Sequence, residues 1–238
     1  MDNFLEKKAN QFREFNGVYF MNPLPIETIL RNNKILTVFR PLADNISGMA
    51  IKIGDGANAQ RFILVNSSHS VGRQNFTICH EIYHLFIQEN FIHIQDYTES
   101  KDKEEIKADK FASYLLLPAA GIQSLIPDEE IAKDKITLKT ILKIEHHFAS
   151  SRTALLIRLL DLKYISKSKY DYFRENIEHG AASYGYSLDL YRPTKSTLVL
   201  GDYGILAKEL YDEEKISMSH YFALMEDIGI NIDELCNE

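Results

Sequence analysis

Apolar positions recur with different periods along this chain, and these periods predict where helices and strands lie. Residues 2–16 have the spacing of a polar amphipathic helix, and residues 25–31, which begin with a proline at a first-turn position, predict a second helix. Three short apolar runs rich in β-forming residues follow, at residues 35–39, 47–53 and 61–65. Turn residues separate the last two runs, so we expect an antiparallel pair, which the first run extends to a small antiparallel sheet.

Two later stretches have the pattern of buried helices. From residue 75 onward, apolar side chains occur nearly all round the predicted helix. A second buried helix is predicted over residues 103–117, and Pro118 should end it. The polar residues between the two helices predict a loop that crosses the surface.

The rest of the chain divides into a helical hairpin and a mixed segment. Residues 137–148 and 151–162 predict two amphipathic helices with a short connection, which is helix-turn-helix geometry, although any αα-hairpin gives the same pattern. Residues 170–205 are rich in Tyr and Gly and have an extended pattern. The chain then ends in two acidic helices, the last stopped by Gly229. The whole pattern predicts an α+β protein.

Composition narrows the class of protein and its compartment. Hydrophobic residues make up 45% of the 238 residues and charged residues 26%, which is typical of a globular protein. No stretch approaches the roughly 18 apolar residues of a membrane span, and the N-terminus is charged where a signal peptide would be apolar. Cys79 and Cys236 are too few for a disulfide framework. We therefore expect a cytoplasmic protein whose metal chemistry, if any, uses histidines and carboxylates.

The net charge of −7 disfavours an autonomous nucleic-acid binder, because neutralising phosphates needs a basic surface. The charge is uneven, however. Residues 131–169 hold nine Lys or Arg against three acidic residues. Such a segment is usually a set of solvated helix faces, but it could also contact a nucleic acid or an acidic partner.

The motif with clear chemical meaning is HEIYH at residues 80–84, an HExxH sequence. Residues four apart lie on one face of a helix, so His80 and His84 can bind one Zn²⁺ ion. Glu81 would then lie beside the metal, where it can act as the general base that takes a proton from water. A buried helix that contains two histidines by chance is the alternative, but an isolated Glu81 among apolar residues would then carry a large desolvation cost.

A catalytic zinc needs a third protein ligand, and we expect it to be Glu105 on the next buried helix. Asp109 lies four residues later on the same helix face and could accept a hydrogen bond from the second nitrogen of a histidine ligand. Glu99, Asp102 and Glu104 are rivals that the spacing leaves open. Glu105 and Asp109 could also be part of a solvated face among neighbouring lysines.

Two linked motifs resemble the ImmA/IrrE metallopeptidases. RQNFTICHEIYH at residues 73–84 is similar to that family's R-x-x-F-T-x-A-H-E-x-x-H, and EIKADKFASYLLLP at residues 105–118 is similar to its E-x-x-A-x-x-F-A-x-x-L-L-x-P. The resemblance covers about residues 20–165. Cys79 departs from the usual alanine and Tyr83 from a usual small residue. Cys79 is expected to be a small core residue, with redox control of the neighbouring ligand left open.

The resemblance implies a zincin-like, gluzincin-like metallopeptidase domain at residues 1–130. A helix-turn-helix-like segment at residues 131–168 would follow it, and then a C-terminal region of unknown role at residues 169–238, which carries no resemblance to the family. The resemblance also implies zinc as cofactor, His80, His84 and Glu105 as ligands, and Glu81 as the base. The implied activity is endoproteolytic cleavage of a helix-turn-helix (Xre-like) repressor, which derepresses stress or mobile-element genes.

Two other functions stay open at this point. The chain could be a DNA-binding regulator that uses residues 137–162, although the helix from residue 151 is mostly apolar after its first turn. It could also be a zinc-dependent interaction module that does not cleave, held inactive by its C-terminal segment. Several downstream side chains could supply an oxyanion donor, and the sequence selects none of them: Tyr114, His179, Tyr184, Tyr186 and His220.

Overall fold

Our computed structural model describes residues 2–54, 56, 59–89, 99–194 and 197–231. It contains a mixed four-stranded sheet. The strands lie in the order β2-β3-β1-β4. Their bounds are Ile35–Arg40 for β1, Gly48–Ile53 for β2, Gln60–Asn66 for β3 and Leu198–Leu200 for β4.

The sheet confirms part of the predicted pairing and corrects the rest. Strands β2 and β3 are antiparallel, as predicted. However, β1 runs parallel to β3, so the sheet is mixed and not simply antiparallel. Strand β4 pairs antiparallel with the other side of β1, from Thr37 to Phe39, and adds a fourth strand that the sequence analysis did not predict.

Among the described residues up to residue 125, five α-helices are present. They are α1 (Asp2–Phe15), α2 (Ile26–Asn32), α3 (Val71–Phe86), α4 (Glu99–Leu116) and α5 (Ala119–Leu125). Helix α3 is packed between the sheet and α4, and its apolar residues belong to the main core. Pro118 follows the end of α4 as predicted and precedes the first residue of α5.

A buried arginine joins α1 to the end of α4. Arg13 is 2% exposed and donates to the carbonyl oxygens of Leu115, at 2.6 Å, and Tyr19, at 2.9 Å, as well as to that of Asn22. The guanidinium thus ties the end of α4 to the segment that follows α1, which fixes the N-terminal segment on the core.

The predicted helical hairpin is present as α6 (Leu138–His147) and α7 (Arg152–Asp161). Each helix begins with a hydroxyl cap, since Thr137 accepts from the amide of Thr140 and Ser151 accepts from that of Ala154. Ala149 has a φ of 49° in the connection between them.

The C-terminal region differs from the extended chain that we expected over residues 170–205. It contains two short helices, α8 (Lys167–Phe173) and α9 (Ile177–Ser183), before β4. Two further helices follow β4 as predicted, α10 (Tyr203–Asp212) and α11 (Met218–Asp227), and Gly229 has the left-handed φ of a helix stop.

Helices and a small sheet together confirm the predicted α+β class. The main core runs from α1 to β4, while α10 and α11 form a separate small apolar cluster around Ala207, Tyr221 and Met225. The C-terminal region therefore contributes to the sheet and also forms a cluster of its own.

Candidate metal centre

Helix α3 presents His80, Glu81 and His84 within little more than one turn. The apolar face of this helix is buried, with Ile78 and Ile82 at 1% and 3% exposure. The two histidines lie four residues apart and therefore project from one side toward α4. Burial of α3 between the sheet and α4 thus fixes the direction of both imidazoles.

Glu105 of α4 completes a group of three possible metal donors. The Nε2 atoms of His80 and His84 are 3.1 Å apart. The carboxylate oxygens of Glu105 lie 3.1 Å from Nε2 of His80 and 3.7 Å from Nε2 of His84. All three donor atoms fall within 4.8 Å of one another.

These separations fit the zinc ion that the HExxH motif implies. Ligand atoms bonded tetrahedrally to one zinc ion at about 2.0–2.1 Å lie roughly 3.4 Å from each other. The distances between the three donors bracket this value. Two neutral nitrogens and one carboxylate are also a common donor set of catalytic zinc sites.

Each imidazole has a second partner on its other nitrogen. A carboxylate oxygen of Asp109 lies 2.9 Å from Nδ1 of His80, the arrangement expected from the spacing of Glu105 and Asp109. The side-chain oxygen of Gln88 lies 2.6 Å from Nδ1 of His84. These contacts orient the rings and leave both Nε2 atoms directed at one point.

Gln88 was not among the predicted site residues, although the sequence contains a signal for it. Gln88 follows His84 by four residues, the same interval that separates Glu105 from Asp109. It lies just after the end of α3, where the amide of Gln88 still donates to the carbonyl of Tyr83 at 3.0 Å.

Glu104, one of the rival ligands, has other partners. Its carboxylate accepts a hydrogen bond of 2.7 Å from the Tyr83 hydroxyl and one of 2.6 Å from Lys107. These two bonds lower the pKa of Glu104 despite partial burial, which opposes them. The side chains of the other rivals, Glu99 and Asp102, lie outside the described residues.

Glu81 lies at the junction of α3 with the start of β2 and is only 7% exposed. A Cβ atom at Gly48 would be 3.2 Å from a Glu81 carboxylate oxygen and 2.5 Å from the Thr77 methyl group. Burial raises the pKa of Glu81 to about 7, with His80 opposing the shift and Glu105 adding to it. A divalent cation held by its neighbours would favour the ionised form.

The pKa values of the two histidines shift in opposite directions. Burial alone would lower the pKa of His80, but hydrogen bonds to Asp109 and Glu105 raise it to about 10. Burial lowers the pKa of His84, and the neighbouring His80 lowers it further. A proton on His80 thus supplies the positive charge that a metal ion would supply when bound.

Cys79 is a core residue beside this group. It is fully buried and forms no disulfide, and burial raises the pKa of its thiol to about 12. These properties match the predicted small hydrophobic residue. They disfavour a reactive thiol, because the thiolate is the species that oxidants attack.

The candidate oxyanion donors are found in several parts of the structure. Tyr114 packs under the guanidinium of Arg158, 4.5 Å from its ring centroid, and Tyr186 stacks on His146. The other three candidates, His179, Tyr184 and His220, are exposed in the C-terminal region. The five candidates are thus dispersed over the structure, and we assign none of them as the oxyanion donor.

The basic segment at residues 131–169 is less available than its composition suggests. Arg152 is 2% exposed and binds the buried carboxylate of Glu145, with contacts of 2.5 and 2.6 Å. Arg158 is 3% exposed and donates to Glu6 and to the carbonyl of Leu117. Helix α7 consequently presents no exposed basic side chain, although the exposed lysines of the flanking segments remain.

Comparison with protein families gives a match over the centre of the chain. The family model Peptidase_M78, described as the IrrE N-terminal-like domain, matches residues 34–160. This stretch contains β1, β2, β3 and every residue of the donor group. No curated protein matches the chain. None of the described helices combines the length and apolarity that a membrane span requires.

Proposed function

The chain belongs to the Peptidase_M78 family, as its motifs predicted, and on this premise we propose that it is a zinc-dependent endopeptidase. His80, His84 and Glu105 would hold the metal, and Glu81 would be the general base. The observation that carries the proposal is the convergence of these three donors, from two different helices, within 4.8 Å.

The chain's own groups account for the proton transfers. Zinc, when bound, would polarise a peptide carbonyl and lower the pKa of water to about 7. Glu81, adjacent in sequence to His80 and almost buried, would take the proton from the attacking water. It would then pass that proton to the leaving amine nitrogen. Asp109 and Gln88 would keep both imidazoles oriented with Nε2 toward the ion.

The sheet offers a place for an extended peptide. Strand β2 is at the sheet edge, and no strand of the described residues pairs with its outer side. Gly48, at the start of this strand, lies against Glu81. A peptide that added to β2 by main-chain hydrogen bonds would pass the proposed base. Recognition of an extended main chain in this way supports cleavage within a polypeptide, which is endopeptidase activity.

The family resemblance supports a helix-turn-helix repressor as the substrate. Cleavage of such a protein would derepress stress or mobile-element genes and would place the enzyme in the cytoplasm. The alternative, a DNA-binding regulator that uses α6 and α7, is less well supported, because Arg152 and Arg158 are buried in internal contacts.

A non-cleaving module held inactive by its C-terminal segment is also less well supported. Strand β4 pairs with β1, at the edge of the sheet opposite to β2. This strand is therefore separated from the Glu81 side by β1 and β3.

One assay separates the enzyme from both alternatives. Purified protein loaded with zinc is incubated with a candidate helix-turn-helix repressor, and fragments are identified by mass spectrometry. We expect one or a few cuts with the wild type and none with Glu81→Gln, which should still bind zinc. Equal cleavage by both forms would show that Glu81 is not the base. A zinc-loaded wild type that cuts neither this repressor nor an unfolded protein such as casein would contradict the peptidase proposal.

A further inference from the structure

Arg73 opens the first of the two motifs, yet the proposed mechanism gives it no part. It is exposed near the N-terminus of α3. Arg73, Thr77 and Glu81 follow one another at intervals of four residues, so they lie on the same face of the helix. This face meets the start of β2, where a Cβ at Gly48 would contact both Thr77 and Glu81. Arg73 therefore lies on the same face of α3 as the proposed base, beside the start of β2.

The guanidinium is held in place but keeps an unneutralised charge. It donates a 2.9 Å hydrogen bond to the hydroxyl of Ser47, the residue before β2. In the described part of the chain, Arg73 forms no ion pair with a carboxylate. Arg152 and Arg158, by contrast, both bind carboxylates of the protein.

Asn66 fixes the position of Ser47. The amide of Asn66 donates to the carbonyl of Ser47 at 2.9 Å. Its fully buried side chain accepts from the amide of Leu42 at 3.0 Å and donates to the carbonyls of Ala43, at 3.1 Å, and Ile46, at 2.7 Å. The loop that carries Ser47 is thus fixed at several points, and the arginine rests against a rigid support. A cation held in this way loses little conformational entropy when it binds an anion.

The charged groups around the centre differ in whether a substrate could bind them. On the α4 side of the histidines, the carboxylates of Glu104, Glu105 and Asp109 already face Lys107 or His80. The planar guanidinium of Arg73, by contrast, offers paired donors to an acidic side chain of a substrate. Arg73 is eight residues from Glu81, a rise of about 12 Å along the helix, which an extended peptide spans in about four residues.

We propose that Arg73 is a substrate-recognition residue that binds an aspartate or glutamate side chain of the peptide, at most about four residues from the scissile bond. The proposal rests on the proposed peptidase function. It deepens that function by naming a charge that the substrate must carry. The Ser47 hydroxyl would stay with the guanidinium as its support, and the free donors would face the substrate carboxylate.

A peptide library prepared from a whole-cell proteome, digested with the zinc-loaded full-length protein, tests this inference. Cleavage sites are read by mass spectrometry for the wild type, Arg73→Gln, Arg73→Glu and the control Arg31→Gln, which changes an exposed arginine on α2. We expect Asp and Glu to be enriched at one fixed position for the wild type and the control. The enrichment should vanish in Arg73→Gln and turn toward Lys and Arg in Arg73→Glu.

A matched peptide pair gives the size of the effect. For a peptide with Asp at that position and its Asn analogue, the wild type should prefer Asp by about five- to thirtyfold in kcat/KM, and Arg73→Gln should not discriminate. Zinc content measured in parallel should be equal in all variants.

Other results would overturn either this inference alone or the proposed function together with it. An unchanged preference in Arg73→Gln, or an equal loss of activity on both peptides, would show that Arg73 only supports the fold and would overturn the inference alone. No cleavage of any peptide by the zinc-loaded wild type would overturn the proposed function and this inference with it.

Discussion

The side-chain oxygen of Gln88 lies 2.6 Å from Nδ1 of His84, and this contact matches the one between Asp109 and His80. One histidine therefore has a neutral outer partner and the other an anionic one. The anionic Asp109 makes the His80 imidazole the more basic metal ligand. The neutral Gln88 mainly fixes the orientation of the His84 ring.

This difference predicts the effect of replacing Gln88. Gln88→Ala should weaken zinc binding by about ten- to a hundredfold, because His84 would lose the contact that orients its ring. Gln88→Glu should retain or strengthen binding, since a carboxylate can accept the same hydrogen bond. Competition with a chromogenic chelator measures both affinities. Equal affinity of Gln88→Ala and wild type would show that the ring is oriented by packing alone.

Replacing Glu105 and Glu104 separately tests the third ligand. Glu105→Ala should lose zinc, because its carboxylate lies 3.1 Å from Nε2 of His80. Glu104→Ala should keep the metal, since its carboxylate is engaged by Tyr83 and Lys107. Metal content after gel filtration, determined by plasma mass spectrometry, distinguishes them. Zinc lost only from Glu104→Ala would reverse the assignment.

Gly48 is expected to tolerate no side chain. In Gly48→Ala the new methyl group would meet the Thr77 methyl group at 2.5 Å and the Leu64 carbonyl oxygen at 2.8 Å. We expect a loss of about 1–3 kcal/mol of unfolding free energy, measured by urea denaturation. Thr77→Ser in the same chain should recover part of the loss, because it removes the methyl group but leaves the carbonyl contact. Gly180→Ala, whose new methyl group would only approach a flexible leucine at 3.3 Å, serves as the control.

We predict that removing only Arg152 from its buried ion pair with Glu145 costs more stability than removing both charges. Arg152→Met should cost about 3–5 kcal/mol of unfolding free energy, because Glu145, at 0% exposure, would lose its counter-ion. The double variant Glu145→Gln, Arg152→Met should be more stable than that single variant, since no buried charge is left unpaired. Guanidinium denaturation of all four proteins gives the coupling energy. A single variant no less stable than the double one would contradict this account.

We expect the Cys79 thiol not to react with alkylating reagents in the folded protein. Its side chain has no exposed surface, so alkylating reagents cannot reach it. After iodoacetamide treatment at neutral pH, peptide mapping should find Cys79 unmodified in native protein and modified in denatured protein. Rapid native modification of Cys79 would instead revive a redox role beside the metal ligand.

Local patterns in the sequence predicted the helices that carry the donor group. The apolar register predicted the buried faces of α3 and α4, except at Ile106, which was expected on the buried side of α4 and is 52% exposed. The four-residue spacing placed His80 beside His84. The same reasoning anticipated the approach of Asp109 to His80. These features depend on helix geometry, which the sequence encodes over a few residues.

Features that depend on distant contacts were not predictable in this way. Strand β1 shows the same alternation whether it pairs parallel or antiparallel, so its direction relative to β3 could not be read from the pattern. Helices α8 and α9 have seven residues each, too few for a clear period, and their Tyr and Gly content suggested extended chain. The link from Tyr83 to Glu104 joins residues whose contact follows only from the packing of α3 on α4.

Strand β4 has a practical consequence for anyone who expresses only the stretch that the family model matches. The family match ends at residue 160, whereas the strand that borders β1 comes from residues 198–200. A fragment cut at the family boundary would bare the backbone amides and carbonyls of Thr37 to Phe39, a template for self-association. The stretch that the family model matches thus lacks one strand of the sheet, and expression trials should keep the chain through at least residue 200.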